Sequence, residues 1–144
     1  MNLFGVLEIS SSALLAERQR AEVVASNLAN AETTRTPDGG PYRRQHVVFN
    51  AVRPSAFART LQGATDWYGQ GVRVEEVVDD PAPPVRRFEP GHPDADAQGY
   101  VSYPAINPIE EMVNLMGATR AYQLNAAAIQ ATKSMIVQSL EILR

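Results

Sequence analysis

The sequence predicts a mainly α-helical fold with a small β-rich insert. Long N- and C-terminal helices are expected to pair as an antiparallel coiled coil around a middle segment rich in glycine and proline. Apolar residues recur at helical spacing near both ends of the 144-residue chain, whereas residues 32–106 hold seven of the nine glycines and nine of the ten prolines. We therefore predict three regions: an N-terminal assembly helix over 1–31, a β-containing or irregular insert over 32–106, and a C-terminal assembly helix over 107–144.

The N-terminal region has no proline and no glycine after Gly5. Its apolar stripe comprises Leu3, Leu7, Leu14, Ala21, Val24 and Leu28, and Ser10 and Glu17 interrupt it. Alternating steps of three and four residues are typical of a coiled-coil seam, so we predict that Leu7, Leu14, Ala21, Val24 and Leu28 contribute to assembly. Asn30 is predicted to end the helix in a left-handed conformation.

The C-terminal region begins with Asn107, a favoured N-cap, followed by Pro108 at the first helical position. A 3–4 repeat of more than four heptads includes Met112, Leu115, Tyr122, Ile129, Ile136 and Leu140, which we predict as assembly residues. Only six residues from 107 to 144 are charged, fewer than a helix with one solvated side usually carries. Neighbouring chains packed on several sides would explain this, and burial against the first helix within one monomer is the alternative.

The middle region contains turn and strand signals. Pro37-Asp38-Gly39-Gly40-Pro41 predicts a turn, because proline presets its first corner and glycine accepts positive φ. Residues 42–49 and 71–78 are rich in β-forming residues and are predicted as strands. Residues 79–84 contain three prolines and therefore do not form a central strand.

Charge and composition exclude several classes of protein. A net charge of −3 provides no overall attraction to nucleic acid or to an anionic membrane, and the absence of cysteine excludes disulfides and thiolate metal sites. We find no N-terminal pattern of a cleaved signal peptide and no run approaching the ~20 apolar residues of a membrane span. A basic stretch (Arg35, Arg43, Arg44, Arg53, Arg59) precedes an acidic one (Asp66, Glu75, Glu76, Asp79, Asp80), a pattern suited to head-to-tail association.

One group of residues has the composition of a metal site. His92, Asp94 and Asp96 are suitable ligand types for a divalent ion, yet aspartates in a proline-rich loop also make ordinary turns. A small metal-dependent hydrolase centred on these residues is therefore one alternative. The serines lack a nucleophile-elbow pattern, and the glycines lack a phosphate-loop pattern. We accordingly expect no catalytic residues, no metal and no cofactor.

The sequence around the end of the first helix resembles the N-terminal signature of the flagellar basal-body rod family. The matching residues run from Val23 to Gln45 and include Asn27, Asn30, Thr36, Pro37, Gly39, Gly40 and Tyr42. The Asp38-Gly39-Gly40 insertion is similar to that of proximal rod members. Residues 90–96 with 99–101 resemble a family loop, and Tyr122, Gln123 and Asn125 match the C-terminal motif.

The resemblance implies a structural, non-enzymatic subunit of the proximal rod, needed for motility. Such subunits polymerise with other rod proteins into the drive shaft that crosses the periplasm and transmits torque. The implied partners are other rod subunits, the ring–rod junction protein, further copies of the chain and the flagellar type III export apparatus, which exports without a cleaved signal. Asn27 and Asn30 are implied assembly residues that satisfy backbone groups at the helix end. A distal rod or hook subunit, and a helical adaptor or secretion chaperone, are the remaining alternatives.

Overall fold

A computed structural model describes residues 3–52 and 71–142 of the chain. Its elements, in chain order, are helix α1 (Leu3–Ala29), strands β1 (Gln45–Ala51), β2 (Val72–Asp79), β3 (Val85–Phe88) and β4 (Tyr100–Tyr103), and helix α2 (Pro108–Ile142). The expectation of a mainly helical protein with helices at both termini and a small β insert is confirmed. The insert consists of two separate two-stranded sheets, β1–β2 and β3–β4, both antiparallel.

The two helices pack against each other in opposite directions. Asn27, near the end of α1, is hydrogen-bonded to Glu111, near the start of α2. Earlier in α1, Ala21 lines a groove with Ala118, which lies further along α2. Because moving back along α1 corresponds to moving forward along α2, the pair is antiparallel.

The hydrophobic core formed by residues 3–52 and 71–142 is small. Among the described residues, its buried apolar side chains include Ala16, Val24, Val101, Tyr103 and Ala118. Three polar or charged side chains, Asn27, Glu111 and Thr132, are at most 2% exposed. The described part of the chain therefore packs around polar contacts as much as around apolar ones.

The first sheet confirms both predicted strands, with boundaries shifted by one to three residues. β1 and β2 pair with a register shift between Val48 and Phe49, and both strands contact α1. The backbone N–H of Val72 donates to Ser12 Oγ of α1 at 3.0 Å. Gly71 lies at φ 88°, and a Cβ there would be 2.1 Å from Ser12 Oγ. Glycine at 71 therefore allows β2 to approach α1 closely.

The second sheet was not predicted. The sequence of β3, Val-Arg-Arg-Phe over residues 85–88, does not alternate between apolar and polar residues, and all four residues are exposed. β4 supplies the buried side of this sheet through Val101 and Tyr103. On the outer side, the rings of Phe88 and Tyr100 meet edge to face at 5.3 Å.

The ends of the helices show one correct prediction and one error. Asn107 caps α2 as predicted, because its Oδ1 accepts from the backbone N–H of Ile109 at 3.1 Å. The prediction for Asn30 was wrong, since no non-glycine residue of the described ranges has a positive φ. Asn30 instead satisfies the helix end through its side chain, whose Nδ2 donates to the carbonyl oxygen of Ser26 at 2.9 Å.

Candidate assembly interface

Asn27 joins α1 to the start of the insert and to α2. Its Nδ2 donates to the backbone oxygen of Gln45 at 2.8 Å and to Glu111 Oε2 at 3.0 Å. Its Oδ1 accepts from the backbone N–H of Gln45 at 2.9 Å and from the Tyr42 hydroxyl at 3.2 Å. Both amide protons and both oxygen lone pairs are thus used by a side chain that is 1% exposed. This arrangement suits asparagine and no smaller or apolar residue.

Glu111 and Arg44 form the charged centre of the same junction. Glu111 is 1% exposed, and its Oε1 accepts from Arg44 Nε at 2.9 Å and from Arg44 Nη2 at 2.5 Å. Asn27 occupies the other carboxylate oxygen. A buried carboxylate is tolerated when it is paired and its oxygens are hydrogen-bonded, and both conditions hold here. The pair ties the chain just before β1 to the first turn of α2.

Asp80 and His46 extend the junction to the end of β2. Asp80 Oδ2 lies 3.8 Å from Arg44 Nη1 and 2.9 Å from His46 Nε2. The hydrogen bond from His46 lowers the pKa of Asp80, and the bond from the backbone N–H of Ala82 acts in the same direction. We call Asn27, Glu111, Arg44, Asp80 and His46 the polar junction. It links both helices and the first sheet at one end of the helix pair.

The glycine-rich motif forms a projecting turn beside this junction. The backbone N–H of Thr36 donates to Gly40 O at 2.9 Å, and residues 37–40 are exposed. Gly39 and Gly40 both have positive φ, at 85° and 81°, and added side chains there would meet no atom within 4 Å. The backbone conformation therefore explains the two glycines, and the tip is open to a neighbouring molecule.

The His92, Asp94 and Asp96 group behaves as a structured loop. His92 Nδ1 accepts from the backbone N–H of Asp94 at 3.1 Å, and Asp94 Oδ2 accepts from Thr34 Oγ1 at 2.8 Å. Asp96 accepts from the backbone N–H of Tyr100, which lowers the pKa of its carboxyl group. No cluster of three or more acidic or histidine side chains within residues 3–52 and 71–142 has a geometry suited to a metal ion. Ordinary turn chemistry accounts for these residues.

The charged stretches are partly neutralised within the molecule. Arg44 lies 3.8 Å from Asp80, and Arg35 lies 3.6 Å from Asp94, so these two arginines are partly neutralised within the chain. Arg43 remains exposed. Glu75, Glu76 and Asp79 of the acidic stretch are also exposed, whereas Arg53, Arg59 and Asp66 lie outside the described residues.

The α1 residues predicted from periodicity lie towards the protein interior. Val24 is buried, and Leu7, Leu14, Ala21 and Leu28 are half-buried. The two polar interruptions belong to the same row: Ser10 is buried, and the Glu17 side chain is only 16% exposed. Oε2 of Glu17 is buried and accepts no hydrogen bond from the described residues.

The α2 residues divide between two sides of the helix. Leu115, Ile129 and Ile136 are half-buried, whereas Met112, Tyr122 and Leu140 are exposed. Apart from Tyr122, the exposed large apolar side chains of α2 are Ile109, Met112, Val113, Met116, Leu124, Met135, Val137 and Leu140, which we call the outer apolar surface. Gln123 is exposed, and Asn125 Nδ2 donates to its own helix at Ala121 O, 2.9 Å away.

Sequence reasoning found Asn27 through its motif but missed the rest of the polar junction. In the sequence, Arg44 and Asp80 stand out only as charged residues, His46 lies within the strand predicted over 42–49, and Glu111 is one of the six charged residues from 107 to 144. These residues are separated by up to 84 positions from their partners. A glutamate one turn after a predicted N-cap is common, so nothing in the local sequence indicated that Glu111 is buried.

Within residues 3–52 and 71–142, neither helix combines the length and apolar character needed to cross a bilayer. A family model described as flagella basal body rod protein matches residues 7–35, and one described as flagellar basal body rod FlgEFG protein C-terminal matches residues 97–142.

Full-length relatives extend this similarity over the whole chain. The chain is 40% identical over 151 positions to the flagellar basal-body rod protein FlgC of Borreliella burgdorferi, and the match covers 100% of this chain and 99% of the relative. The FlgC of Yersinia enterocolitica is 42% identical, covering 99% and 98%, and that of Bacillus subtilis is 38% identical, covering 99% of each. The chain belongs to the flagellar basal-body rod protein family, whose members are structural and not enzymatic.

Proposed function

We propose that this chain is a structural subunit of the proximal rod of the bacterial flagellar basal body. In this role it polymerises with other rod proteins into the drive shaft that crosses the periplasm and transmits torque. The observation that supports the proposal most strongly is the similarity to FlgC relatives over 99–100% of the chain. These relatives all carry the name FlgC, which favours a proximal rod subunit over a distal rod or hook subunit.

The outer apolar surface of α2 gives this proposal a physical basis. It includes Ile109, which is 72% exposed, Met116 at 63% and Leu140 at 63%. Several large apolar side chains on one helix are unfavourable in water, and burying each of them contributes about 1.5–3 kcal/mol. Packing against neighbouring subunits would remove this surface from water. Many laterally packed helices would also give a shaft the stiffness that torque requires.

We further propose that α1 and α2 pair as an antiparallel coiled coil, and that the assembly residues predicted from periodicity make contacts between helices of the rod. The partners are other rod subunits, further copies of this chain, the ring–rod junction protein and the type III export apparatus. The polar junction holds the insert at one end of the helix pair through Asn27, Glu111 and Arg44. A fixed insert would set the angle at which each subunit meets its neighbours.

Before assembly, the helix ends should be loosely held. Few apolar residues are fully buried, and closing the chain between distant termini costs conformational entropy. Hydrogen exchange on the isolated subunit should therefore show little protection of the first turns of α1 and the last turns of α2. Full protection of those amides in the monomer would contradict this expectation.

Deletion of the gene tests the function. Cells without it should lack hooks and filaments and should not swim, and the intact gene should restore all three. Cells that assemble flagella and swim normally would exclude a rod role and reopen the adaptor interpretation. Assembly of a rod that stops only beyond its proximal part would instead favour the distal interpretation.

A further inference from the structure

The connection between β2 and β3 includes an exposed run of three prolines and one alanine, Pro81-Ala82-Pro83-Pro84, which we call the proline segment. All four residues are exposed, and the backbone makes no turn or bend along this run. Proline fixes φ at about −65°, and a residue that precedes proline is restricted to extended conformations. None of the peptide bonds within residues 3–52 and 71–142 is cis. These restraints favour a polyproline II conformation.

Both ends of the proline segment are held by the fold. The backbone N–H of Asp80, just before the segment, donates to the carbonyl oxygen of Arg44 at 2.7 Å. Val85, just after the segment, pairs with Tyr103 in the second sheet. The fold therefore presents the segment already extended, so a partner that binds it orders little further chain.

The proline segment can accept hydrogen bonds but has no backbone N–H left to donate. Its three prolines carry no N–H, and the N–H of Ala82 donates to Asp80 Oδ1 at 2.9 Å. Carbonyl oxygens and apolar rings are what remains for a partner to contact. A surface that binds this segment must therefore supply hydrogen-bond donors and apolar area.

The outer side of the second sheet offers both. Phe88 is 64% exposed and Tyr100 is 40% exposed, and we call these two residues the aromatic face. A Cβ at position 99 would lie 2.9 Å from Phe88 Cε2, so Gly99 allows the ring to lie close to the backbone. The Tyr100 hydroxyl makes no hydrogen bond to any residue in the described ranges. Aromatic surfaces with polar groups are the usual binding sites of polyproline II segments.

The proline segment cannot cover the aromatic face of its own chain. Pro84 leads directly into β3, whereas Phe88 and its partner Tyr100 lie at the far end of that strand. Four residue steps along an extended strand separate Pro84 from Phe88 by about 13 Å. A second molecule is therefore needed for the two surfaces to meet.

We infer that the proline segment of one copy of this chain docks on the aromatic face of a second copy. Hydrogen-bond complementarity selects the occupant, because the Tyr100 hydroxyl can donate and the segment can only accept. The two surfaces are different and each copy carries both, so the contact is heterologous and can continue from copy to copy. This inference rests on the proposed function, because it assigns one contact within the proposed polymer.

The geometry of polyproline II indicates which prolines make the contact. The helix has three residues per turn, so Pro81 and Pro84 project from the same edge and Pro83 projects from another. Two proline rings on one edge can pack against the two aromatic rings of the face. A segment that served only as a stiff spacer would depend on all three prolines alike, because each of them fixes one φ angle.

Cysteine cross-linking tests the contact directly, because the chain has no cysteine. Cells lacking the gene would carry two differently tagged copies, one with Ala82→Cys and the other with Ser102→Cys, on the side of β4 that carries Tyr100. Each copy alone must restore swimming, and Gln98→Cys, at an exposed position before β4, replaces Ser102→Cys if that variant does not. Oxidation of assembled basal bodies should give a dimer that contains both tags. Ala82→Cys with Lys133→Cys is the matched control, since exposed position 133 lies about 33 Å along α2 from the polar junction.

Single substitutions in these copies separate docking from stiffness. In the Ala82→Cys copy, Pro81→Ala or Pro84→Ala should lower the early yield of mixed-tag dimer about tenfold, the factor for two buried CH₂ groups. Pro83→Ala, the matched control, should change the yield by less than about twofold. In the other copy, Tyr100→Phe should lower it about fivefold, the factor for one neutral hydrogen bond. Circular dichroism of each purified variant checks that its fold is intact.

Three results would overturn the inference: swimming cells whose rods yield no mixed-tag dimer, three proline variants that lower the yield equally, or a yield that Tyr100→Phe leaves unchanged. All three are distinct from failure of the proposed function, which would appear as normal swimming after deletion of the gene.

Discussion

Replacing Asn27 by alanine removes a side chain whose amide protons and carbonyl oxygen are all hydrogen-bonded inside the protein. Bonds to neutral groups contribute about 1 kcal/mol each and a bond to a charged group about 2 kcal/mol. Two bonds to the Gln45 backbone, one weaker bond from Tyr42 and one to Glu111 therefore total about 4–5 kcal/mol. Since domains are stable by about 5–15 kcal/mol, Asn27→Ala should lower the free energy of unfolding severely.

Urea unfolding of the purified chain, followed by circular dichroism, measures this loss. Asn50→Ala is the matched control, because the hydrogen bond from Asn50 to Glu75 is exposed. This variant should lose less than about 0.5 kcal/mol of unfolding free energy. A loss of under about 1 kcal/mol in Asn27→Ala would refute the account of the polar junction.

Asn27→Asp sharpens the same test through its pH dependence. The introduced carboxylate cannot donate to Glu111 and places like charges about 3 Å apart, so at neutral pH this variant should be less stable than Asn27→Ala. Acidification protonates one carboxyl group, which can then donate to the other. The deficit should therefore shrink as the pH falls, and a deficit independent of pH would contradict the mechanism.

Two further perturbations have outcomes that the structure predicts. The pKa of Asp80 is lowered by its hydrogen bond from His46, so the stability it contributes is present above its ordinary value of 3.8 and is lost as the pH falls through the lowered pKa. Asp80→Asn should make the unfolding free energy less dependent on pH in that acidic range; an unchanged slope would contradict this. Gly71→Ala should cost about 1–3 kcal/mol in urea unfolding, because φ is 88° and the new Cβ meets Ser12 Oγ. Gly91→Ala, where a Cβ meets nothing within 4 Å, is its control, and equal stability of the two variants would refute the close-approach argument.

Short-range signals in the sequence predicted the elements with the strongest local patterns. The N-cap at Asn107 and the strands now seen as β1 and β2 depend on neighbouring residues, so composition and spacing sufficed. β3 was missed because it is four residues long and exposed on every residue. The left-handed conformation predicted at Asn30 is absent. The side-chain amide of Asn30 donates to the carbonyl oxygen of Ser26 and so satisfies the helix end without a positive φ.

The sequence by itself determined that two long helices lie at the termini of this chain and that a glycine- and proline-containing insert separates them. It also carried the motif that identifies the family. Only the tertiary structure decided which sides of those helices face inward, because periodicity marks an apolar row without saying whether its partner belongs to the same chain. The burial of Glu111 against Arg44 and Asn27 was likewise beyond local patterns. Its stability depends on partners brought together from distant positions, and a buried charge is tolerated only where those partners meet it.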